Sequence, residues 1–299
     1  MTLIVRVLAG MVLCGLLGIG AVAHPGSGIM VDKEGQVFFT DTGRGVWKID
    51  RQGNLTHVPA SLFHWMALDE TGSFAASEKN FGEWFERVTP LGSKPALIMS
   101  SDFPLTVNRD GNIYYADTRI RSARIIRRTP QGKESVLAAD EAFKGIAGIT
   151  GSLDGSLYIT LAIRSGANVI QKITMEGKVS QFAGPEIIER GRVRGIIPPP
   201  EAEPGYCRGL ALDPQGAVYV AATGSRRVLK ITPGGDVTTV LQTPSPWSPT
   251  GVALFGGEVY VLEWQDAPPS QTEVRLAWVP RVRKVGRDGK ITTLATVSR

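Results

Sequence analysis

Twelve glycines that recur in a fixed frame constrain the fold of this 299-residue chain more than any other feature of its sequence. They punctuate one repeated unit: an apolar strand, a glycine turn, a second strand rich in Val, Tyr and Phe, a polar loop, a third strand, another glycine turn and a fourth strand. The first turns end at Gly35, Gly72, Gly111, Gly155, Gly216 and Gly257, and the second turns end at Gly53, Gly92, Gly132, Gly177, Gly235 and Gly289. A tight hairpin commonly needs one residue with positive φ, which glycine adopts without a steric clash. The frame therefore predicts twelve hairpin turns.

The spacing of the first-turn glycines predicts the architecture. Successive ones lie 37, 39, 44, 61 and 41 residues apart, and a four-stranded unit of about 40 residues is the size of one propeller blade. The longest interval contains residues 184–203, whose Gly and Pro residues favour a loop. We predict an all-β fold, a six-bladed β-propeller of four-stranded antiparallel blades, with no blade shared between the two chain ends. The propeller would occupy residues 24–299 as a single domain.

The N-terminal segment has the pattern of an export signal. Arg6 precedes an apolar run over residues 7–23 that ends in the Ala-Val-Ala sequence of residues 21–23, a small-x-small signal-peptidase site. We expect residues 1–23 to be a cleaved signal peptide and the mature protein to be secreted or periplasmic. The alternative is an uncleaved membrane anchor. Cleavage would leave Cys207 as the only cysteine, so no intramolecular disulfide could form.

The repeat is similar to a known one. Its clearest copy, residues 210–241, has an Asp-x-x-Gly turn, a Val-Tyr-Val strand, a Val-Leu-Lys-Ile strand and a second glycine turn. This pattern resembles the NHL repeat over essentially the whole chain after residue 23. The resemblance implies a six-bladed propeller in the superfamily that also contains SMP-30/gluconolactonase-like hydrolases, strictosidine-synthase-like proteins and streptogramin lyases. Because the same blade serves enzymes and adaptor proteins, it leaves the function open.

Two functions are compatible with such a propeller. The first is a non-catalytic module that binds a small molecule, glycan or protein through the loops at the mouth of the central channel. The alternative is a metal-dependent SMP-30/gluconolactonase-like hydrolase or a streptogramin-lyase-like enzyme acting on a lactone or sugar-derived substrate. The resemblance implies metal ligands in Pro-Asn-Gly and Pro-Asp-Gly motifs, which this sequence lacks; Pro249, Thr250 and Gly251 come nearest. We therefore transfer no metal ligand and favour the binding module.

Repeat register places a set of polar and aromatic side chains around the channel mouth. The candidate ligand-binding residues are Asp41, His64, Glu78, Asp117, Arg208, Glu263 and Trp264. The four acids fall at equivalent ends of second strands, where their carboxylates could hold Ca²⁺ or another divalent cation. The alternative is that each acid caps its own loop or pairs with a nearby Arg. His64 is either a core-edge residue with satisfied hydrogen bonds or a base that faces the mouth.

The net charge limits the kinds of partner that we expect. The net charge of +5 is modest and the export pattern argues against nucleic acid. We expect no nucleic-acid partner, no membrane span after cleavage, and a monomer. The basic runs at residues 119–128 and 281–284 alternate with apolar residues, which favours solvated strand faces.

Residues 184–203 and 264–271 are the longest irregular segments, and we expect them to cover the mouth as a lid. The alternative is that both are surface excursions that contact nothing.

Overall fold

The computed structural model describes residues 26–74, 84–101, 103–118, 123–162, 168–190, 207–265 and 279–298. These residues form 23 β-strands in six antiparallel sheets. Five of the sheets contain four strands each, and the sheet of blade two contains three described strands. The predicted six-bladed β-propeller is confirmed.

The blades follow one another along the chain. The strands of blades one to three are β1 (Ile29–Val31), β2 (Val37–Asp41), β3 (Gly45–Ile49), β4 (Leu55–Val58), β5 (Trp65–Asp69), β6 (Phe85–Val88), β7 (Ala96–Ser100), β8 (Leu105–Val107), β9 (Ile113–Asp117), β10 (Arg124–Arg128) and β11 (Glu134–Ala139). The strands of blades four to six are β12 (Ile146–Gly151), β13 (Leu157–Ala162), β14 (Asn168–Ile173), β15 (Val179–Ala183), β16 (Cys207–Leu212), β17 (Val218–Ala222), β18 (Arg227–Ile231), β19 (Val237–Gln242), β20 (Trp247–Phe255), β21 (Glu258–Gln265), β22 (Val279–Val285) and β23 (Ile291–Thr296). In every blade except blade two, each strand pairs with the next one in sequence.

The innermost strands close the ring. The first strands of the six blades are β1, β5, β8, β12, β16 and β20, and each contacts the first strand of the following blade. β20 in turn contacts β1, so that blades six and one are neighbours. β1 is the innermost strand of blade one, and blade six is built from β20 to β23. Within the described ranges, no blade combines strands from both ends of the chain, as predicted.

Apolar side chains fill the seams between neighbouring blades. Successive side chains of a strand face opposite sides of the sheet, so each blade packs against both of its neighbours. Tyr260 and Leu262 of blade six pack with Phe39 of blade one, whereas Val259 and Val261 pack against blade five. The place of a residue in this alternation decides which seam its side chain enters.

Blade two departs from the predicted strand order. Its sheet has the order β5, β7, β6, and Ser100 of β7 lies opposite Trp65 of β5 and Phe85 of β6. Every residue of β7 is buried, as expected for a strand between two others. Glu78, expected at the end of the second strand, falls within residues 75–83, which lie outside the described residues. In the described part of blade two, the strand expected at the outside therefore occupies the central position.

The twelve glycines of the repeat frame all have positive φ. The φ values of the twelve lie between 69° and 86°, which confirms the predicted turns. At the first turn of blade two, the carboxylate of Asp69 accepts the backbone N–H groups of Ser73 at 3.1 Å and Phe74 at 2.9 Å. Asp32 and Asp213 accept turn N–H groups in the same way. These acids stabilise the turns that they open.

The described helices are short. α1 (Pro185–Arg190) follows β15, and single 3₁₀ turns lie at Glu141–Gly145 and Thr223–Ser225. The insertion at residues 184–203, predicted as a loop, thus begins with a helix, and Ile188 on this helix is buried in the seam between blades four and five. None of the helices in the described part of the chain is long and apolar enough to cross a membrane.

Candidate functional site

Five of the seven candidate residues lie toward one face of the ring. The first and third strands of a blade begin at this face and the second strands end there, and we call it the loop face. Asp41 and Asp117 end β2 and β9, Glu263 lies near the end of β21, and Arg208 is the second residue of β16. His64 directly precedes β5. Glu78 lies outside the described residues, so its position at the mouth stays a prediction.

Asp41 caps the loop that follows it. Its side chain is fully buried, and one carboxylate oxygen accepts the backbone N–H of Gly43 at 2.9 Å. The other oxygen accepts the indole N–H of Trp47 at 3.2 Å. Both donors belong to blade one, so this carboxylate stabilises its own hairpin.

Asp117 pairs with a basic residue of the adjacent strand. Arg124, the first residue of β10, lies opposite Asp117 in the ladder, and its Nη2 is 3.4 Å from the buried carboxylate. Arg124 itself is about one-third exposed, with a side-chain exposure of 35%. The acid at the end of the second strand of blade three is therefore part of a cross-strand ion pair.

Glu263 is the centre of a buried ionic network. Its side chain has no exposed surface. Arg281 donates from Nε to one carboxylate oxygen, and Arg283 donates from Nη2 at 2.6 Å and from Nε at 3.0 Å. The hydroxyl of Thr243, from blade five, donates at 2.8 Å. The expectation that residues 281–284 form a solvated strand face is wrong for both arginines, because their side of β22 faces the seam with blade five.

These contacts bear on the metal that the resemblance implies. Ca²⁺ takes about six to eight oxygen ligands, whereas the oxygens of Asp41, Asp117 and Glu263 accept hydrogen bonds or ion pairs from protein donors. Among the described residues, no group of three or more His, Cys, Asp or Glu side chains is placed so that it could hold a metal ion. The described carboxylates therefore do not fit a divalent cation, and we derive no reaction step through one.

The ring of His64 is held by a hydrogen bond. Its Nδ1 lies 2.7 Å from the carbonyl oxygen of Ser101. A carbonyl can only accept, so Nδ1 is the donor in this hydrogen bond. The half-buried residue also accepts at its own carbonyl from the N–H groups of Ser27 and Gly28, at 2.9 and 3.1 Å. This geometry fixes the ring at the loop-face end of the channel.

Residues 207 and 208 join blades four and five. The carbonyl of Arg208 accepts the hydroxyl of Thr160 at 2.8 Å, and the N–H of Cys207 donates to the side chain of Asn168 at 3.0 Å. Burial raises the pKa of the Cys207 thiol to about 12, against a smaller opposing effect of Arg227. The thiol is therefore neutral near pH 7 and is not a nucleophile.

Trp264 lies in the core, contrary to the expectation that it faces the mouth. β21 continues to Gln265, so Trp264 belongs to a strand and its side chain has no exposed surface. Its indole packs in the seam with blade one and donates to the carbonyl of Gly26 at 3.0 Å. Its side chain therefore contributes to ring closure.

The lid expectation is tested only in small part. α1 accounts for the beginning of residues 184–203, and β21 accounts for residues 264 and 265. Residues 191–206 and 266–278 lie outside the described residues, so a lid over the mouth stays a prediction.

Two further features of the structure were not predicted. One is the pair Arg281 and Arg283, for which the available signal was Glu263 at the matching position of the neighbouring strand. The other is a cavity of about 310 Å³ where the first strands end, at the opposite side of the ring from the loop face. Leu68, Val107 and Thr150 are among the side chains that line it.

Comparisons with known proteins support the superfamily resemblance. A family model described as the SMP-30/Gluconolactonase/LRE-like region matches residues 174–261, from the end of blade four into blade six. The NHL assignment itself stays a prediction. No curated protein sequence matches the chain.

Solved structures share the fold at low sequence identity. A gluconolactonase from Xanthomonas campestris is 14% identical, with a TM-score of 0.53, over 79% of this chain and 82% of that one. A virginiamycin B lyase from Staphylococcus aureus is 18% identical, with a TM-score of 0.51, over 89% and 83%. A PQQ-bound aldose sugar dehydrogenase from Streptomyces coelicolor is 14% identical, with a TM-score of 0.51, over 81% and 89%. At these identities the likeness extends to the fold alone.

Proposed function

We propose that this protein is a hydrolase or lyase that acts on a lactone or sugar-derived small molecule at the loop face. The observation that carries the proposal is the match of the SMP-30/gluconolactonase/LRE-like family model to residues 174–261. The geometry of His64 supports it, because a neutral imidazole whose Nδ1–H donates to a carbonyl has Nε2 as its proton-accepting nitrogen.

For a hydrolytic reaction, the proposed role of His64 is general base. Nε2 takes a proton from water while the water oxygen forms a bond to the lactone carbonyl carbon. The ring C–O bond then breaks, and the departing alkoxide takes the proton back from Nε2. The hydrogen bond from Nδ1 to Ser101 keeps the ring oriented during both transfers.

The test is turnover of glucono-δ-lactone, followed as acid release in a pH-stat with the purified protein. His57 offers a matched control because its ring is also bonded to a backbone carbonyl, that of Arg44 at 2.6 Å, at an exposed site on β4. We expect His64→Gln to lose about 10²- to 10⁴-fold in kcat, the usual contribution of a positioned base. His57→Gln should retain full activity. Equal activity of the two variants would exclude His64 as the base.

A second candidate is a non-catalytic binding module. It is favoured by Thr250, because the segment Pro249, Thr250 and Gly251 is the one most similar in sequence to the metal-binding motifs of the hydrolases. The Thr250 hydroxyl donates to the carbonyl of Gly26 at 2.8 Å, so this residue holds the ring together. Saturable calorimetric binding of a sugar-derived ligand without turnover would support this candidate over the enzyme.

We also propose that the protein acts outside the cytoplasm as a monomer. The proposal rests on the apolar run of residues 7–23 and its Ala-Val-Ala ending. N-terminal sequencing of exported protein should give His24 as the first residue. A membrane-bound product that retains Met1 would support the anchor alternative.

A further inference from the structure

We propose that Arg281 and Arg283 form a binding subsite for an oxyanion, the carboxylate or phosphate group of a small ligand. The subsite lies at the loop-face end of the seam between blades five and six. The inference rests on the proposed use of the loop face for ligand binding and adds the chemical class of the ligand.

The charges of the described residues in this seam do not balance. Two guanidinium groups, with side-chain exposures of 14% for Arg281 and 11% for Arg283, share the single carboxylate of Glu263. No other described carboxylate lies within ion-pair distance of either group. Among the described residues, one positive charge is therefore left over in a largely desolvated place, where an uncompensated charge is unfavourable. A bound anion would neutralise it.

An unsatisfied donor points to the same ligand. Nη2 of Arg281 is buried and has no hydrogen-bond partner in the part of the chain that the structure describes, although Nε of the same group donates to Glu263. A guanidinium presents its donors as a planar fork that matches two oxygens of a carboxylate or phosphate. An oxyanion at Nη2 would supply the missing acceptor together with the missing negative charge.

An aromatic ring holds the guanidinium in position. The Cζ atom of Arg281 lies 3.9 Å from the ring centroid of Trp247. Trp247 is the first residue of β20 and is half-buried, so Arg281 reaches from the third strand of blade six toward the channel mouth. Stacking of this kind adds attraction between the cation and the ring and limits the motion of the side chain. The donor is thus pre-organised near the loop face.

Blade three provides an internal comparison. Arg124 occupies the equivalent position opposite Asp117, but there one guanidinium pairs with one acid and the arginine is 35% exposed. Among the described residues, the same repeat position therefore has one guanidinium per carboxylate in blade three and two per carboxylate in blade six. Arg124, whose Nε is also buried without a described partner, is a matched control for the removal of a guanidinium from this position of the repeat.

The test is binding of inorganic phosphate and, separately, acetate, measured by isothermal titration calorimetry at low ionic strength. We expect saturable binding of at least one of the two ions, and the comparison identifies the preferred headgroup. Arg281→Lys keeps the charge beside Glu263 but lacks the fork, so we expect at least tenfold weaker binding. Arg124→Lys should bind as the unaltered protein does. Trp247→Leu, which leaves all ionic partners in place, should also weaken binding.

Further measurements distinguish a loss of anion binding from a loss of folding and from a lack of enzymatic activity. Circular dichroism melting curves identify any variant that does not fold, and Trp247→Leu then carries the test if Arg281→Lys fails. Because the experiment measures binding without turnover, a protein that is inactive on lactones can still bind the anion. That outcome would contradict the proposed enzyme and would leave the proposed subsite intact. Absence of saturable binding of both ions, or equal weakening by Arg124→Lys, would overturn the subsite.

Discussion

The indole of Trp264 donates a hydrogen bond of 3.0 Å to the carbonyl oxygen of Gly26, a residue 238 positions earlier in the chain. The hydroxyl of Thr250 donates to the same oxygen at 2.8 Å. Gly26 precedes the first strand of blade one, whereas both donors belong to blade six. The ring is thus closed by polar contacts to one carbonyl in addition to the apolar packing of the seam.

This arrangement predicts coupled losses of stability. Thr250→Val should lower the free energy of unfolding by about 0.5–1.5 kcal/mol, since Trp264 still satisfies the carbonyl. Combining it with Trp264→Phe should cost more than the sum of the two single changes, because the buried oxygen then loses both donors. Urea denaturation of the four proteins gives the coupling energy.

Thr160→Val is the control for Thr250→Val. Its hydroxyl makes a hydrogen bond of the same length to a backbone carbonyl, that of Arg208, at the seam of blades four and five. Paired with Trp264→Phe, it should show simple additivity. Additivity for Thr250 as well would contradict a shared role in closure.

The buried network of blade six predicts a large effect of one substitution. Glu263→Ala leaves two guanidinium groups without their carboxylate and should destabilise the protein by about 3–5 kcal/mol, as breaking buried ion pairs does. Lys284→Ala removes the half-buried ion pair, 2.9 Å long, between Lys284 of β22 and Glu258 of β21, and should cost about 1 kcal/mol or less. Chemical denaturation that gives similar values for both would count against the network.

Burial predicts that Cys207 is unreactive in the folded protein. Because its pKa is raised to about 12, the thiol stays protonated at pH 8, whereas an exposed cysteine of pKa about 8.5 is partly thiolate there. Iodoacetamide should leave the peptide that contains Cys207 unmodified in native protein and alkylate it fully in denaturant. Rapid native alkylation at pH 8, measured by mass spectrometry, would contradict this assignment.

The sequence could predict features that depend on a few neighbouring residues. The positive φ of Gly111 or Gly216 follows from the turn in which each lies, and capping by Asp69 needs only the N–H groups four and five residues ahead. Repetition of these local signals sets blade number and size, which is why the six-bladed ring could be predicted.

Features that depend on which side of a sheet is covered could not be predicted as well. Alternation puts Arg281 and Arg283 on one side of β22, but it does not say whether that side meets solvent or blade five. For the same reason, the sequence did not indicate that Trp264 lies in the seam with blade one. In blade two, pairing of β7 with β5 joins segments about 30 residues apart, and no local signal encodes that choice.

Close approach of the innermost strands predicts one further sensitivity. A Cβ atom on Gly209 would lie 2.9 Å from the Cα of Gly251 and 2.9 Å from the carbonyl oxygen of Thr250. Both are backbone atoms of the neighbouring blade, which cannot move aside as the end of a side chain can. Gly209→Ala should therefore push β16 from β20 and destabilise the protein by about 1–3 kcal/mol, the usual cost of overpacking.

Gly234→Ala is the control, since the nearest atom to its added Cβ lies at 3.7 Å. Thermal melting should leave Gly234→Ala within about 0.5 kcal/mol of the unaltered protein. An unchanged melting temperature for Gly209→Ala would mean that the inner strands have more room than the structure gives them.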